Sequence, residues 1–209
     1  MIALIDYGAG NLTSVRKALT ALGAEFTVPA TTDACANVSG IIVPGVGHFA
    51  ATAALEGEWL QAIHSAVRKG VPLLGICLGM QWLFEGSDEA PEVKGLGVIP
   101  GRITRLQNDP ERRLKIPHVG WNALDFRSGD ATGAAGARLL DGLPSGAQVY
   151  FTHSYAAPVT SECVASTDHA NTFSSVVERD NIFGVQFHPE KSGSAGLQIL
   201  RNFLLACSC

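Results

Sequence analysis

A chain of 209 residues, 46% hydrophobic and only 16% charged, carries enough apolar side chains to bury a core as one domain and too few charges to stay disordered. A formal net charge of −4 without any basic block argues against nucleic acid or an anionic membrane as the main partner. Five cysteines, at positions 35, 77, 163, 207 and 209, lack zinc-type spacing, so neither a metal nor another cofactor is expected, and a reduced, cytoplasmic setting fits best.

Met1 leads straight into Ile2-Ala3-Leu4-Ile5 with no basic region, so no signal peptide is expected, and no apolar run has the length of a membrane span. That first run predicts a short buried strand, and the turn Gly8-Ala9-Gly10-Asn11 follows. Leu12, Val15, Leu19 and Leu22 recur at helical spacing until Gly23 stops the helix. A dinucleotide phosphate loop is rejected here, because Thr13 stands where the third glycine of that fingerprint belongs. Strands are expected at 26–28 and 40–43, the second leading into Pro44-Gly45-Val46-Gly47, with a helix through Leu60, Ile63 and Val67 that ends near Gly70.

The apolar run 71–76 then ends in Gly75-Ile76-Cys77-Leu78-Gly79, with a helix-compatible stretch behind it. This is the pattern of a nucleophile elbow, with Cys in place of Ser. A strained turn needs residues without Cβ beside it, and the helix behind it must approach the strand closely. Such a turn would present the Cys77 thiol at the carboxyl edge of a sheet, with backbone N–H groups and a positive helix N-terminus aimed at whatever the sulfur attacks. A buried core cysteine fits this stretch equally well. Strands alternating with helices to about residue 84 predict an α/β fold, a doubly wound, mainly parallel sheet flanked by helices, whose reactive groups gather beyond the carboxyl ends of the strands.

From Gly95 to Val185 the rhythm changes to short β-like pieces at 98–99, 103–104, 116, 149–151, 164, 176–177 and 182–183. The small-residue stretch 129–136 is expected to be a mobile surface loop. A last helix over 195 to about 206 should face the core with Leu197, Leu200, Phe203 and Leu204.

A nucleophilic cysteine needs a base and the base an orienting group. Gly184-Val185-Gln186-Phe187-His188-Pro189-Glu190 offers both, since His188 and Glu190, two apart, would project to one side of extended backbone. His-x-Glu alone describes many surface histidines; paired with an elbow cysteine it reads as the rest of a triad.

Gly-Ile-Cys-Leu-Gly-Met-Gln at 75–81 and Phe-His-Pro-Glu at 187–190 together resemble the class I, triad-type glutamine amidotransferases, and the likeness runs from the first strand to the last helix. Asp6-Tyr7-Gly8-Ala9-Gly10-Asn11, Pro44-Gly45-Val46-Gly47-His48-Phe49, Lys115-Ile116-Pro117-His118-Val119-Gly120-Trp121-Asn122 and His153-Ser154-Tyr155 narrow it. Within the family they are similar to the glutaminase subunits that supply ammonia to a separate (β/α)8-barrel cyclase in histidine biosynthesis. The resemblance implies Cys77, His188 and Glu190 as the catalytic triad, and an oxyanion hole from the N–H groups of Leu78 and of Val46 or Gly47. It implies a glutamine site of Gln81, Gly47, Ser154, Tyr155 and Glu89. The expected docking face for the cyclase, as a heterodimer, is Asn11, Trp121, Tyr150 and Lys191, although core packing would also suit Trp121 and Tyr150. Glutaminase subunits for anthranilate, guanylate or formylglycinamidine synthesis, a stand-alone Cys-His-Glu hydrolase, and an oxidant-sensing scaffold remain as alternatives at this point.

Overall fold

The computed structural model describes the whole chain except residues 11, 109–110, 112–113, 128–135 and 209. Asn11 and nearly all of the expected 129–136 loop therefore lie outside the described residues. The first half reads β1 (Ile2–Leu4), α1 (Leu12–Ala21), β2 (Phe26–Thr27), β3 (Gly40–Gly45), α2 (Glu58–Arg68), β4 (Leu73–Cys77) and α3 (Leu78–Trp82). Short strands follow: β5 (Gly86–Ser87), β6 (Ala90–Lys94), β7 (Arg102–Arg105), β8 (His118–Ala123), β9 (Asp125–Phe126), β10 (Gln148–His153) and β11 (Tyr155–Ala156). The chain continues through β12 (Cys163–His169), β13 (Asn171–Arg179), β14 (Ile182–Val185) and α4 (Gly193–Ala206).

Among the described residues the main sheet has the order β2-β1-β3-β4-β14-β13-β12-β9. It is parallel from β2 to β14 and antiparallel from there to β9. The doubly wound sheet is thus present, but mixed, because β13, β12 and β9, the last not expected from the sequence, extend it as antiparallel strands. β8 and β10 form a separate ribbon, and β11, β7, β5 and β6 a third small sheet.

Period-two alternation divides the core between the two faces of the main sheet. Ile2, Leu4, Ile42, Leu74 and Ile76 pack with Val15 and Leu19 of α1 and with Ile199, Leu200 and Phe203 of α4. Ala3, Ile5, Ile41, Val43 and Leu73 pack on the other side with Ile63, Ala66 and Val67 of α2. In α4 the fully buried apolar side chains include Ile199 alongside Leu200 and Phe203, whereas Leu197 and Leu204, expected in the core, are half-buried at its margin.

Two expected β pieces are something else. Segment 98–99 is a bend in which the N–H groups of Val98 and Ile99 both donate to the Leu83 carbonyl, while the Leu96 N–H donates to Trp82. Those backbone groups close the carbonyl end of α3, which leaves none for a strand. Ile116 also lies in a bend, its N–H donating to the Asn108 side chain.

The α3–sheet contact sets the geometry of everything near Cys77. A Cβ on Gly75 would fall 2.5 Å from the Gly79 carbonyl oxygen, and one on Gly79 would strike the Val43 carbonyl. Both neighbours are backbone, which cannot rotate aside. Gly75→Ala is therefore expected to destabilise the fold by about 2–4 kcal/mol, in the range of overpacked cores and backbone strain. Urea unfolding of the variant against wild type and Gly10→Ala, where φ is not positive and a Cβ would meet only ordinary contacts of 3.4 Å or more, checks this; equal midpoints would contradict it.

Candidate active site

Three adjacent strands deliver the candidate residues to one rim. Gly45 lies opposite Cys77 across the β3–β4 pairing, and Val185 lies opposite Ile76 across β14–β4. The chain thus leaves the sheet at three neighbouring points, as the 44–47 loop, as Cys77, and as the 186–190 segment. Cys77 has φ 54° and ψ −107°, a conformation non-glycine residues seldom adopt, at the entrance to α3. It is 5% exposed. A core-like cysteine would be comparably buried; this one lines a pocket of about 260 Å³.

His188 is 2% exposed, and its Nδ1 lies 2.8 Å from Oε1 of Glu190. The backbone between them is not extended as expected: Pro189 opens a short 3₁₀ turn, Pro189–Lys191, that carries Glu190 back to the imidazole. Proline with its fixed φ suits the first position of such a turn. The strand end is pinned from β10: the His188 N–H donates to the Tyr150 carbonyl at 2.9 Å, and the Ser192 hydroxyl donates to the His188 carbonyl at 2.6 Å. Nε2 of His188 is buried and makes no hydrogen bond of standard geometry with the protein. Burial alone would lower the imidazole pKa, but hydrogen bonding to and negative charge on Cys77 and Glu190 overcome it and push it up to about 10.

The same pocket is lined by Val46, Gly47, Leu78, Gln81, Glu89, Ser154 and Tyr155, the residues expected for the oxyanion hole and the glutamine site, together with Pro117 and His153, which belong to the motifs quoted for the family, and Thr152, which sequence reasoning did not single out. Gln81 is 4% exposed, so it is not a solvated helix polar residue. Its Nε2 donates to the Tyr155 carbonyl at 2.8 Å and to Oε1 of Gln186 at 3.2 Å. Glu89 sits in the turn between β5 and β6, half-buried, with Oε2 accepting the Phe49 N–H at 2.8 Å. In the 44–47 loop the Val46 N–H donates to the Ala9 carbonyl at 2.6 Å, so this donor is already committed, while Gly47 has φ 98°. Gly45 has no room for a side chain between the Tyr7 hydroxyl and Leu78.

Outside the pocket, Trp121 is 56% exposed and pairs edge-on with Tyr150, ring centroids 6.1 Å apart, and Nζ of Lys191 lies 6.0 Å from the Tyr150 ring. These three expected docking residues thus share one surface, and Trp121 is not a core residue. No cluster of metal-ligating side chains occurs among the described residues, nor is any described helix long and apolar enough to cross a membrane.

A thiol on a strained turn, an imidazole held by a buried carboxylate one strand away, and a pocket bordered by a glycine loop form one candidate site. The chain belongs to the class-I glutamine amidotransferases: the family model "Glutamine amidotransferase class-I" matches residues 3–207. It is 48% identical to the imidazole glycerol phosphate synthase subunit HisH of Desulfitobacterium hafniense (strain Y51), covering 97% of this chain and 93% of that one. With the subunit of the same name from Geobacillus thermodenitrificans it shares 46% identity over 98% and 95%. Among solved structures, a glutamine amidotransferase crystal structure superposes with a TM-score of 0.74 at 18% identity over 100% of both chains. The structure of PurLQS from Thermotoga maritima gives 0.69 at 16%, over 98% of this chain and 97% of that one.

The raised His188 proton affinity has a definite sign in solution. In the unfolded chain the imidazole would titrate near 6.5, so the stabilisation it provides is complete below that pH and lost as pH rises through about 10. In Glu190→Gln one of the groups holding the proton loses its charge. The His188 ring, followed by NMR, should then titrate lower by roughly one pH unit or more. An unchanged midpoint would mean that the carboxylate does not bias the ring.

Proposed function

We propose that this chain is the glutaminase subunit of an imidazole glycerol phosphate synthase, hydrolysing glutamine to glutamate and ammonia and passing the ammonia to a cyclase subunit. The reading rests on near full-length identity with HisH subunits, and the observation that carries its chemistry is Cys77 at the mouth of α3 facing the His188–Glu190 pair.

In this mechanism the Cys77 sulfur attacks the side-chain amide carbon of glutamine, and the thiol proton resides on His188. Glu190 holds the ring through Nδ1, leaving Nε2 for the sulfur and the leaving group. His188 gives its proton to the departing ammonia as the C–N bond breaks and the thioester forms. It then takes a proton from water, whose oxygen attacks the thioester, and glutamate leaves as the S–C bond breaks. Negative charge on the amide oxygen is received by the Leu78 N–H and by one from the 44–47 loop; a donor of this kind contributes roughly 3–4 kcal/mol to the barrier. For Val46 to serve, its N–H must leave the Ala9 carbonyl. Glycine on both sides of Val46 allows that peptide to turn, and we assign the turn to engagement of the cyclase and its substrate. Gln81, Gly47, Ser154, Tyr155 and Glu89 bind the amino-acid end of glutamine.

Ammonia released into water would be protonated and lost as a nucleophile, so the half-enzyme needs a partner sealed over the pocket. In this reading the partner is a (β/α)8-barrel cyclase, the assembly a cytoplasmic heterodimer, and the whole chain one glutaminase domain. Trp121, Tyr150 and Lys191 form the docking face. Aromatic side chains on a mostly polar surface suit the centre of an interface.

With the cyclase subunit and its ribonucleotide substrate present, Cys77→Ala should abolish glutamine-dependent synthesis and leave synthesis driven by added ammonium salt intact. Following glutamate release and product formation separately checks both arms. Glutamate release indifferent to the cyclase and its substrate would defeat the coupled-subunit reading, and a stand-alone hydrolase would take its place.

A further inference from the structure

Gln186 plays no part in the chemistry derived so far, yet it is fully buried beside the sulfur. Its Nε2 lies 3.8 Å from Sγ of Cys77, within reach of an N–H···S hydrogen bond. A carboxamide can present either its oxygen or its nitrogen, and only the surrounding partners decide which. Here the choice is forced from a distance. The Tyr155 carbonyl can only accept, so Gln81 must turn its NH₂ toward it at 2.8 Å. The same NH₂ then donates to Gln186 at 3.2 Å, which fixes Oε1 of Gln186 toward Gln81 and its NH₂ toward Cys77.

A second set of hydrogen bonds meets the first at the Tyr155 carbonyl, which accepts from both. Nδ1–H of His153 donates to the Tyr155 carbonyl at 2.9 Å, so its Nε2 must accept from Nδ1–H of His118 at 3.2 Å. Nε2 of His118 in turn accepts from the Asn122 NH₂ at 3.3 Å, and the Ala123 N–H, donating to Oδ1 of Asn122 at 2.8 Å, fixes that amide. Both rings stay neutral, as this pattern requires: burial and then the neighbouring His169 lower His118 to about 4, and burial and then His118 lower His153 to about 3. His118 and His153 are cross-strand partners in the β8–β10 ribbon, as are Trp121 and Tyr150.

We propose that Gln186 is a further catalytic residue, whose amide N–H stabilises the Cys77 thiolate, and that Gln81, itself oriented by the Tyr155 carbonyl, is the positioning residue that keeps this amide from flipping. The proposal deepens the glutaminase reading and rests on it for the identity of the nucleophile. A flipped Gln186 would turn a carbonyl oxygen toward a developing negative charge, so the hydrogen-bonded chain fixes the sign of the dipole that the sulfur meets. The titratable groups around the sulfur are His188 beyond β14, Tyr7 from the loop after β1, and Glu89 and His153 across the pocket. Gln186 adds an uncharged donor whose direction its own hydrogen bond from Gln81 fixes.

The test is the pH dependence of iodoacetamide alkylation at residue 77, read by peptide mass mapping on the complex with the cyclase subunit. The variants are Gln186→Met and Gln81→Met. At neutral pH both should alkylate roughly three- to tenfold more slowly than wild type, as expected for a lost or misdirected hydrogen bond to a charged group, and should catch up with it at alkaline pH. In glutamine turnover, kcat of Gln186→Met should fall with little change in KM. An unmoved alkylation profile in a folded Gln186→Met protein would overturn the role of Gln186. An unmoved profile in Gln81→Met would overturn its positioning role. Should Gln186→Met fail to fold, Gln81→Met decides alone. A wild-type complex that releases no glutamate would instead defeat the glutaminase reading, while the alkylation arm still reports on Gln186.

Discussion

The constraint on which the rest depends is the close packing of α3 against β3 and β4. Gly79 lies against the Val43 carbonyl and Gly75 against the backbone of Gly79 and Met80, so helix and strand are joined by a turn too tight for ordinary backbone angles. Cys77 absorbs the bend with φ 54°, a strain of roughly 1–3 kcal/mol. Leu78, Met80, Trp82 and Leu83, each 1% exposed or less, hold the element down. Burying one such side chain is worth about 1.5–3 kcal/mol, so the core offsets the strained residue several times over. Cys77 therefore stays at the sheet rim, and the residues that meet it are those the neighbouring strands release beside it.

Strand order turns that local device into a site. β3 and β14 flank β4 with parallel register, so a glycine loop, a cysteine and a histidine separated by over a hundred residues emerge side by side. The antiparallel extension β13-β12-β9 takes no part in this rim, but the β8–β10 ribbon does. Its Tyr150 carbonyl pins His188, and its His153 lines the pocket. One ribbon thus carries both the exposed Trp121–Tyr150 pair and groups that fix the pocket wall.

What was legible in the sequence was local. The elbow is written in consecutive residues because the glycines that permit it must flank the cysteine, and the β1–β4 alternation with its helices repeats at a readable period. The His188–Glu190 pairing was also legible, though not the 3₁₀ turn that makes it. Of the late strands β7, β10, β12, β13 and β14 could be located, whereas β8, β9 and β11 were missed, and none could be assigned to a sheet, since short β pieces carry no mark of their partner; 98–99 looked like a strand because Val98 and Ile99 are both β-branched, while its backbone closes the end of α3. Least legible was the run from Asn122 to Cys77. Its contacts join residues 35, 74 and 105 positions apart, and histidine or glutamine alone reveals no orientation.

In the proposed mechanism, the 44–47 loop is where a small conformational difference decides the rate. The Val46 N–H donates to Ala9 at 2.6 Å, and exchanging one backbone hydrogen bond for another costs only about 1 kcal/mol net. A donor aimed at the oxyanion lowers the barrier by roughly 3–4 kcal/mol. Turning that single peptide would therefore change the rate a hundredfold or more for an outlay that a docked partner could readily cover. Gly45, wedged between Tyr7 and Leu78, borders the peptide that would turn and keeps the loop close to Cys77, while Gly47, already at φ 98°, takes up the change on the far side of Val46. In the proposed subunit this keeps glutamine intact until an acceptor for its ammonia is in place.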